Sequence, residues 1–225
     1  MTQELWSAVD YYISALLAPH DAILTDTLEA SAKAGLPSIQ VSPTQGKLLH
    51  ILARMVGARN ILEIGTLGGY SSIWMARALP PGGYLLTLEA DKKHAQVARE
   101  NFDRAGLGTV IALRFGPALE TLPKIAAEGR ERFDFVFIDA NKSSMAEYFA
   151  WALKLSHRGS VIVADNVIRD GAVIDTDSKD PDILGVRRFN ARLASEPSVS
   201  ATEIQTVGSK GYDGFAIALV TGDPK

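Results

Sequence analysis

A chain of 225 residues with 47% hydrophobic and 22% charged side chains has the material for one large core, and no repeat or low-complexity tract divides it. Lys and Arg number 23 against 26 Asp and Glu, a net charge of -3, which excludes a general basic field for nucleic acid or anionic membrane and leaves a small molecule as the default partner. With no cysteine, disulfides, thiolate metal sites and cysteine nucleophiles are excluded, and a metal, if any, is expected to see oxygen.

Residues 3 to 18 and 21 to 34 carry apolar side chains at helical spacing, Leu5, Val9, Tyr12, Ile13 and Leu16, then Ile23 and Leu28, the second run ending at Gly35 before Pro37. Glu4 and Asp10 interrupt the first run, unlike the unbroken core of an export signal, and no apolar run nears the ~18 residues of a membrane span. A soluble, cytoplasmic protein is expected. Leu5, Trp6, Tyr11, Tyr12, Leu16 and Leu17 give the first helix more apolar surface than a covering layer needs, so a homodimer face is expected there. Ser42, Pro43 and Gln45 supply an N-cap, a first-turn proline and a capping-box partner for a third helix over 43 to 57.

From residue 60, strand and helix alternate: NILEIG, SSIWMARAL, YLLTLEA, KHAQVARENFDRAG, VIALRFG, ALETLPKIAAEG, FDFVFIDA, MAEYFAWALKLS, SVIVADN. This predicts an α/β fold, a doubly wound, mostly parallel sheet of seven strands in a Rossmann-like arrangement. After a helix over 182 to 195, SATEIQTV and FAIALV, joined by the turn GSKGYDG, read as an antiparallel C-terminal hairpin. One domain is expected over 1–225, with the helices of 1–57 covering the site and 60–225 forming the Rossmann-like core.

Ligands of such sheets lie beyond the carboxyl ends of the strands, where the winding reverses. There LEIGTLGGYSS places Gly65, Gly68 and Gly69 for tight turning and Ser71 at the next helix start, but not at the G-x-G-x-x-G spacing that a dinucleotide wants. Glu89 ends the second strand, placed to accept both hydroxyls of an adenosine ribose. Glu63 lies inside the first strand, where an acid is expelled unless something polar or cationic meets it. Asp139 and the pair Asp165-Asn166 each follow a buried apolar run, and three oxygen ligands at two strand ends are what a hard cation takes. The histidines His20, His50, His94 and His157 show no ligand spacing.

Together ILEIGTLGGYSS, Glu89, GPA at 116 to 118, FIDANK and VIVADN resemble the cation-dependent O-methyltransferases: the caffeoyl-CoA type, its bacterial relatives and, more distantly, catechol O-methyltransferase. The resemblance covers about residues 36 to 220, and the reversed final pair of strands suits the methyltransferase form of the sheet. It implies S-adenosylmethionine as methyl donor and Mg2+ (or Mn2+ or Ca2+) as the cation. By it Val41, Glu63, Gly65, Thr66, Gly69, Ser71, Glu89, Ala118, Asp139 and Asn141 fall on the cofactor, Asp139, Asp165 and Asn166 on the metal, and Lys142 on the general base. Where the caffeoyl-CoA type reads Asp-Ala-Asp-Lys this chain has Asn141, an amide in place of a charge.

The resemblance further implies a catechol-like acceptor with vicinal hydroxyls, one of which is methylated. Free phenols ionise near pH ~10, so the chemistry needs charge stabilisation and a base; Lys142, near a metal and a sulfonium, is expected to have a lowered pKa. Residues 167 to 182, too polar and irregular for core, together with 36 to 41 and the 208 to 214 turn, are expected to shape the acceptor pocket, with Arg169, Lys210 and Tyr212 touching substrate. Two other readings stay open here: an NAD-linked oxidoreductase on a similar sheet, and a homologue that binds cofactor without catalysis.

Overall fold

The computed structural model describes residues 2–19, 21–129 and 132–222, and His20 falls outside them. Three helices lead the chain: α1 (Gln3–Leu17), α2 (Ala22–Lys33) and α3 (Pro43–Met55). Each begins where a side-chain oxygen can take an orphan backbone N–H. Asp21 Oδ1 accepts from the Leu24 N–H at 2.9 Å, and Ser42 Oγ from the Gln45 N–H at 3.2 Å, with Pro43 in the first turn of α3.

Then come β1 (Asn60–Ile64), α4 (Tyr70–Ala76), β2 (Tyr84–Glu89), α5 (Lys92–Arg104), β3 (Ile111–Phe115), α6 (Ala118–Ala127), β4 (Phe133–Ile138), α7 (Met145–Lys154), β5 (Ser156–Asp165), α8 (Pro181–Ser195), β6 (Val199–Gly208) and β7 (Gly211–Val220). The strands form one sheet in the order β3-β2-β1-β4-β5-β7-β6. β1 to β5 pair in parallel, and β7 pairs antiparallel with both β5 and β6. The reversal is therefore confined to β7, since β6 returns to the common direction; the expected reversed pair is one reversed strand.

Burial explains the sheet's position. β1 is buried along its whole length, as a strand covered on both faces must be, and its side chains alternate between two cores. Leu62 and Ile64 join Val136, Ile138, Ile162 and Ala164 beneath α6, α7 and α8. Ile61 joins Phe135, Phe137, Val161 and Val163 on the other face, against residues of α2, α3, α4 and α5. α1 packs outside these layers, on β6 and α3.

Two expectations change in the C-terminal third. The β6–β7 ladder closes as far as Gly208 opposite Gly211, so Ser209 and Lys210 alone make the turn and most of GSKGYDG is strand. The 167 to 182 segment begins in the core, with Val167 and Ile168 buried, because the Val167 N–H donates to Gly214 O at 3.1 Å and ties it to β7. It then holds one 3-10 turn, Ala172–Ile174, before α8.

Candidate active site

The parallel strands all deliver their carboxyl ends to one side, and the winding reverses between β1 and β4. There a cleft of about 750 Å³ opens. Its floor is a backbone crossing. Gly65, just after β1, has φ 99°, and a Cβ on it would lie 1.9 Å from the carbonyl oxygen of Asp139. Only glycine lets the β1 loop run against the end of β4.

Glu89 lines this cleft and organises its loop. One carboxylate oxygen accepts the backbone N–H groups of Thr66 at 3.2 Å and Leu67 at 2.8 Å, and the other that of Asp91 at 2.9 Å. His94 Nδ1 stands 3.8 Å from the same carboxylate and also lines the cleft, a neighbour that ligand spacing could not reveal. Val41, Thr66, Ser71 and Ala118, the first residue of α6, line the same space. Gly69 is not among the lining residues; it is the N-cap residue of α4.

Glu63 lies beneath the cleft without lining it, 0% exposed. Its carboxylate accepts from Ser71 Oγ at 2.6 Å and from the Ser72 hydroxyl, so the polar group that meets this strand acid is the first turn of α4. Burial pushes the Glu63 carboxyl up to about 7, against the pull of those two hydroxyls and that of Thr87. Ser72 went unnoticed in the sequence; an acid in a strand followed by a Ser-Ser helix start was the available signal.

At the ends of β4 and β5 the chemistry concentrates. Lys142, 7% exposed in a 3-10 turn (Lys142–Ser144), donates from Nζ to Asp139 Oδ1 at 2.9 Å. Asp165, at the end of β5, is as buried, and burial first and then the Asp139 charge push its carboxyl well above the ordinary carboxylate range. Lys142, the Gln45 side chain and the Asn166 N–H oppose that rise. Gln45 was expected to serve the α3 capping box; its N–H does, while its side chain turns to Asp165. Asn166 follows in the left-handed region at φ 60°.

One buried acid, Asp165, and one half-buried acid, Asp139, beside a single ammonium are short of positive charge, and with the Asn166 amide oxygen they make a donor set that suits a hard cation. Among the described residues no three Asp, Glu, His or Cys side chains gather as a metal centre, so a cation here would rest on two carboxylates and an amide, with Lys142 already on Asp139. Asn141 is engaged by its own turn: its amide donates to Ser143 Oγ at 3.0 Å and Ser144 Oγ at 2.9 Å and accepts from the Tyr148 hydroxyl.

Arg169, Lys210 and Tyr212 line the same cleft. Lys210 Nζ donates to Ser38 O at 2.9 Å, joining the β6–β7 turn to the segment before Val41, and burial lowers its pKa. The Tyr212 hydroxyl donates to the Gln205 side chain. Asp213, missed in the sequence, accepts the N–H groups of Ile168 and Arg169, each at 3.0 Å, and of Gly214 at 2.9 Å. Arg169 Nε is buried without a partner, and a buried donor left unmet costs about 1–3 kcal/mol.

An O-methyltransferase family model matches residues 13–218. Catechol O-methyltransferase of Niastella koreensis is 53% identical over 98% of this chain and 100% of its own length. The crystal structure of an O-methyltransferase from Bacillus cereus with SAH superposes with a TM-score of 0.96 at 55% identity, covering 98% of this chain and 100% of that one. That of TomG from Streptomyces achromogenes, an O-methyltransferase involved in tomaymycin synthesis and crystallised with SAM, gives 0.95 at 52% identity, covering 99% and 100%. These matches leave no place for the NAD-linked oxidoreductase. The chain belongs to the S-adenosylmethionine-dependent O-methyltransferase family.

Proposed function

We propose that the protein moves the methyl group of S-adenosylmethionine to one hydroxyl of a catechol-like aromatic diol, with a divalent cation, Mg2+ (or Mn2+ or Ca2+), held by Asp139, Asp165 and Asn166. The observation that carries this reading is the pair of carboxylates at neighbouring strand ends, Asp139 and Asp165, which line one cleft together with Asn166. The name of the Niastella koreensis relative supports the acceptor.

Glu89, already held by three backbone N–H groups, is oriented to accept the ribose hydroxyls of the cofactor. Val41, Gly65, Thr66, Ser71, Ala118 and the Asp139–Asn141 turn surround the rest of it; Glu63 acts through the Ser71 hydroxyl, and Gly69 by starting α4. When bound, a divalent cation supplies Lewis-acid charge that eases loss of a phenolic proton near neutral pH. Lys142, once its Nζ has left Asp139 and given up one proton to solvent, would take the phenolic proton as the neutral amine. Arg169, Lys210 and Tyr212 bound the acceptor end. A second copy packed on α1 completes the proposed assembly.

Labelled S-adenosylmethionine offered with a panel of vicinal-diol aromatics, with and without chelator, tests the proposal. Transfer to a diol, abolished by chelation and restored by Mg2+, is expected. Transfer indifferent to chelator removes the cation, and transfer only to lone hydroxyls removes the diol.

A further inference from the structure

We propose that Arg169 reads an acid group on the acceptor, so that the preferred substrate is an anionic aromatic diol, a ring bearing vicinal hydroxyls and a carboxylate. The inference rests on the diol-methylating reading above and adds a substrate class to it.

The backbone around Arg169 is over-determined. Asn166, Arg169 and Asp170 have φ of 60°, 55° and 55°, a region that side chains with a Cβ rarely enter. The loop is clamped there by β7. Asp213 Oδ1 takes the N–H groups of Ile168 and Arg169, the Val167 N–H donates to Gly214 O at 3.1 Å, and the Asp170 N–H to Tyr212 O at 3.2 Å. One strained loop thus carries Asn166, at the proposed cation, and Arg169, at the rim of the same cleft.

The side chain so placed has nothing to hold. Among the described residues the Arg169 guanidinium makes no ion pair or hydrogen bond, and its Nε is buried. The carboxylates lining this cleft are engaged elsewhere: Asp213 and Glu89 by backbone N–H groups, Asp165 by the Asn166 N–H at 2.9 Å, Asp182 by the Ser143 N–H at 3.2 Å, Asp139 by Lys142, while Asp170 faces solvent. Lys210, the other cation on this rim, donates only to a neutral carbonyl, Ser38 O. A neutral diol would leave Arg169 as it is. A carboxylate matches the planar fork of a guanidinium with two parallel hydrogen bonds, and Lys210 adds a second positive charge.

The test compares 3,4-dihydroxybenzoate with the neutral 3,4-dihydroxybenzyl alcohol as acceptors at saturating S-adenosylmethionine and Mg2+. For the unaltered protein kcat/KM is expected to favour the acid at least about tenfold, chiefly through KM, and added KCl is expected to shrink that ratio by screening. In Arg169→Met the ratio is expected to fall toward one, with Arg169→Lys keeping part of it. A ratio near one in the unaltered protein, or one that neither salt nor Arg169→Met changes, overturns the inference while methylation of the neutral diol leaves the reading beneath it intact. Turnover of neither compound overturns both.

Discussion

Asp139 is the residue on which two charges converge, since the Lys142 ammonium holds at 2.9 Å the carboxylate that the proposed cation needs. Lys142→Met removes the base and frees Asp139. We expect kcat to fall by about 10²–10⁴-fold, the range of general base catalysis, while the dissociation constant of S-adenosylmethionine stays within about twofold; unchanged turnover would take Lys142 out of the chemistry. Glu63 gives a pH signature of a different kind. Its folded pKa, about 7, stands above the ordinary 4.5, so its charged form is the disfavoured one. Its stability contribution is then intact below about 4.5 and lost as pH rises through about 7. Glu63→Gln keeps the shape without the charge, so its Tm relative to the unaltered protein should climb between pH 5 and 8, by an amount on the order of 2–3 kcal/mol in stability. A flat difference across that window would show that the serine hydroxyls already compensate the buried charge. Both acids were legible as chemistry because an acid in an apolar run has few structural excuses. Longer-range partners were not: Ser72 stands nine positions from Glu63, and Asp213, which holds the Arg169 backbone, 44 from it, separations that local periodicity cannot read.

Elements set where these residues stand, and the tightest setting is between α8 and the 3-10 turn that carries Lys142. A Cβ on Gly185 would lie 2.2 Å from the Lys142 carbonyl oxygen and 2.6 Å from Ser143 Cα, backbone atoms that cannot swing aside. Gly185→Ala must therefore push α8 off the turn. A loss of about 1–3 kcal/mol is expected, roughly 2–4 °C in Tm per kcal/mol for a chain of this size. Because the turn moves with α8, kcat should fall as well, and cofactor affinity, built on β1, β2 and α4, should not; a loss of stability with kcat preserved would place Lys142 outside the rate-limiting geometry. The alternation of strand and helix was readable because each element carries its own period and caps, as Asp21 and Ser42 show. The extent of β6 and β7 was not, since the glycines of GSKGYDG suit a long turn as well as a ladder closing at Gly208 and Gly211, and cross-strand pairing decides between them.

At the scale of the molecule, the place of the cleft was readable from topology alone, because parallel strands present their ends together where the winding reverses. Its rim was not: Lys210 meets Ser38 across 172 positions of sequence, and only the folded sheet brings the β6–β7 turn over the segment before α3. The outer layer raises the remaining question. α1 turns Trp6, Asp10, Ile13 and Ser14 inward, half-buried, while Leu5, Val9, Tyr12 and Leu16, spaced by four, three and four residues, form a second apolar stripe that is close to half exposed or more. A helix covering one core needs one such stripe. A second copy with its own α1 antiparallel across a two-fold axis would cover the other, residue for residue in both directions. Replacing both Tyr12 and Leu16 by Lys places like charges in that contact and leaves untouched the inner side, where Asp10 accepts the Ser209 N–H at 2.7 Å and steadies the turn that bears Lys210. Sedimentation equilibrium should then give 24.2 kDa for the doubly substituted chain and twice that for the unaltered one, with methyl transfer retained by the monomer. An unaltered protein that already sediments at 24.2 kDa would end the two-fold proposal and leave the stripe as bare surface.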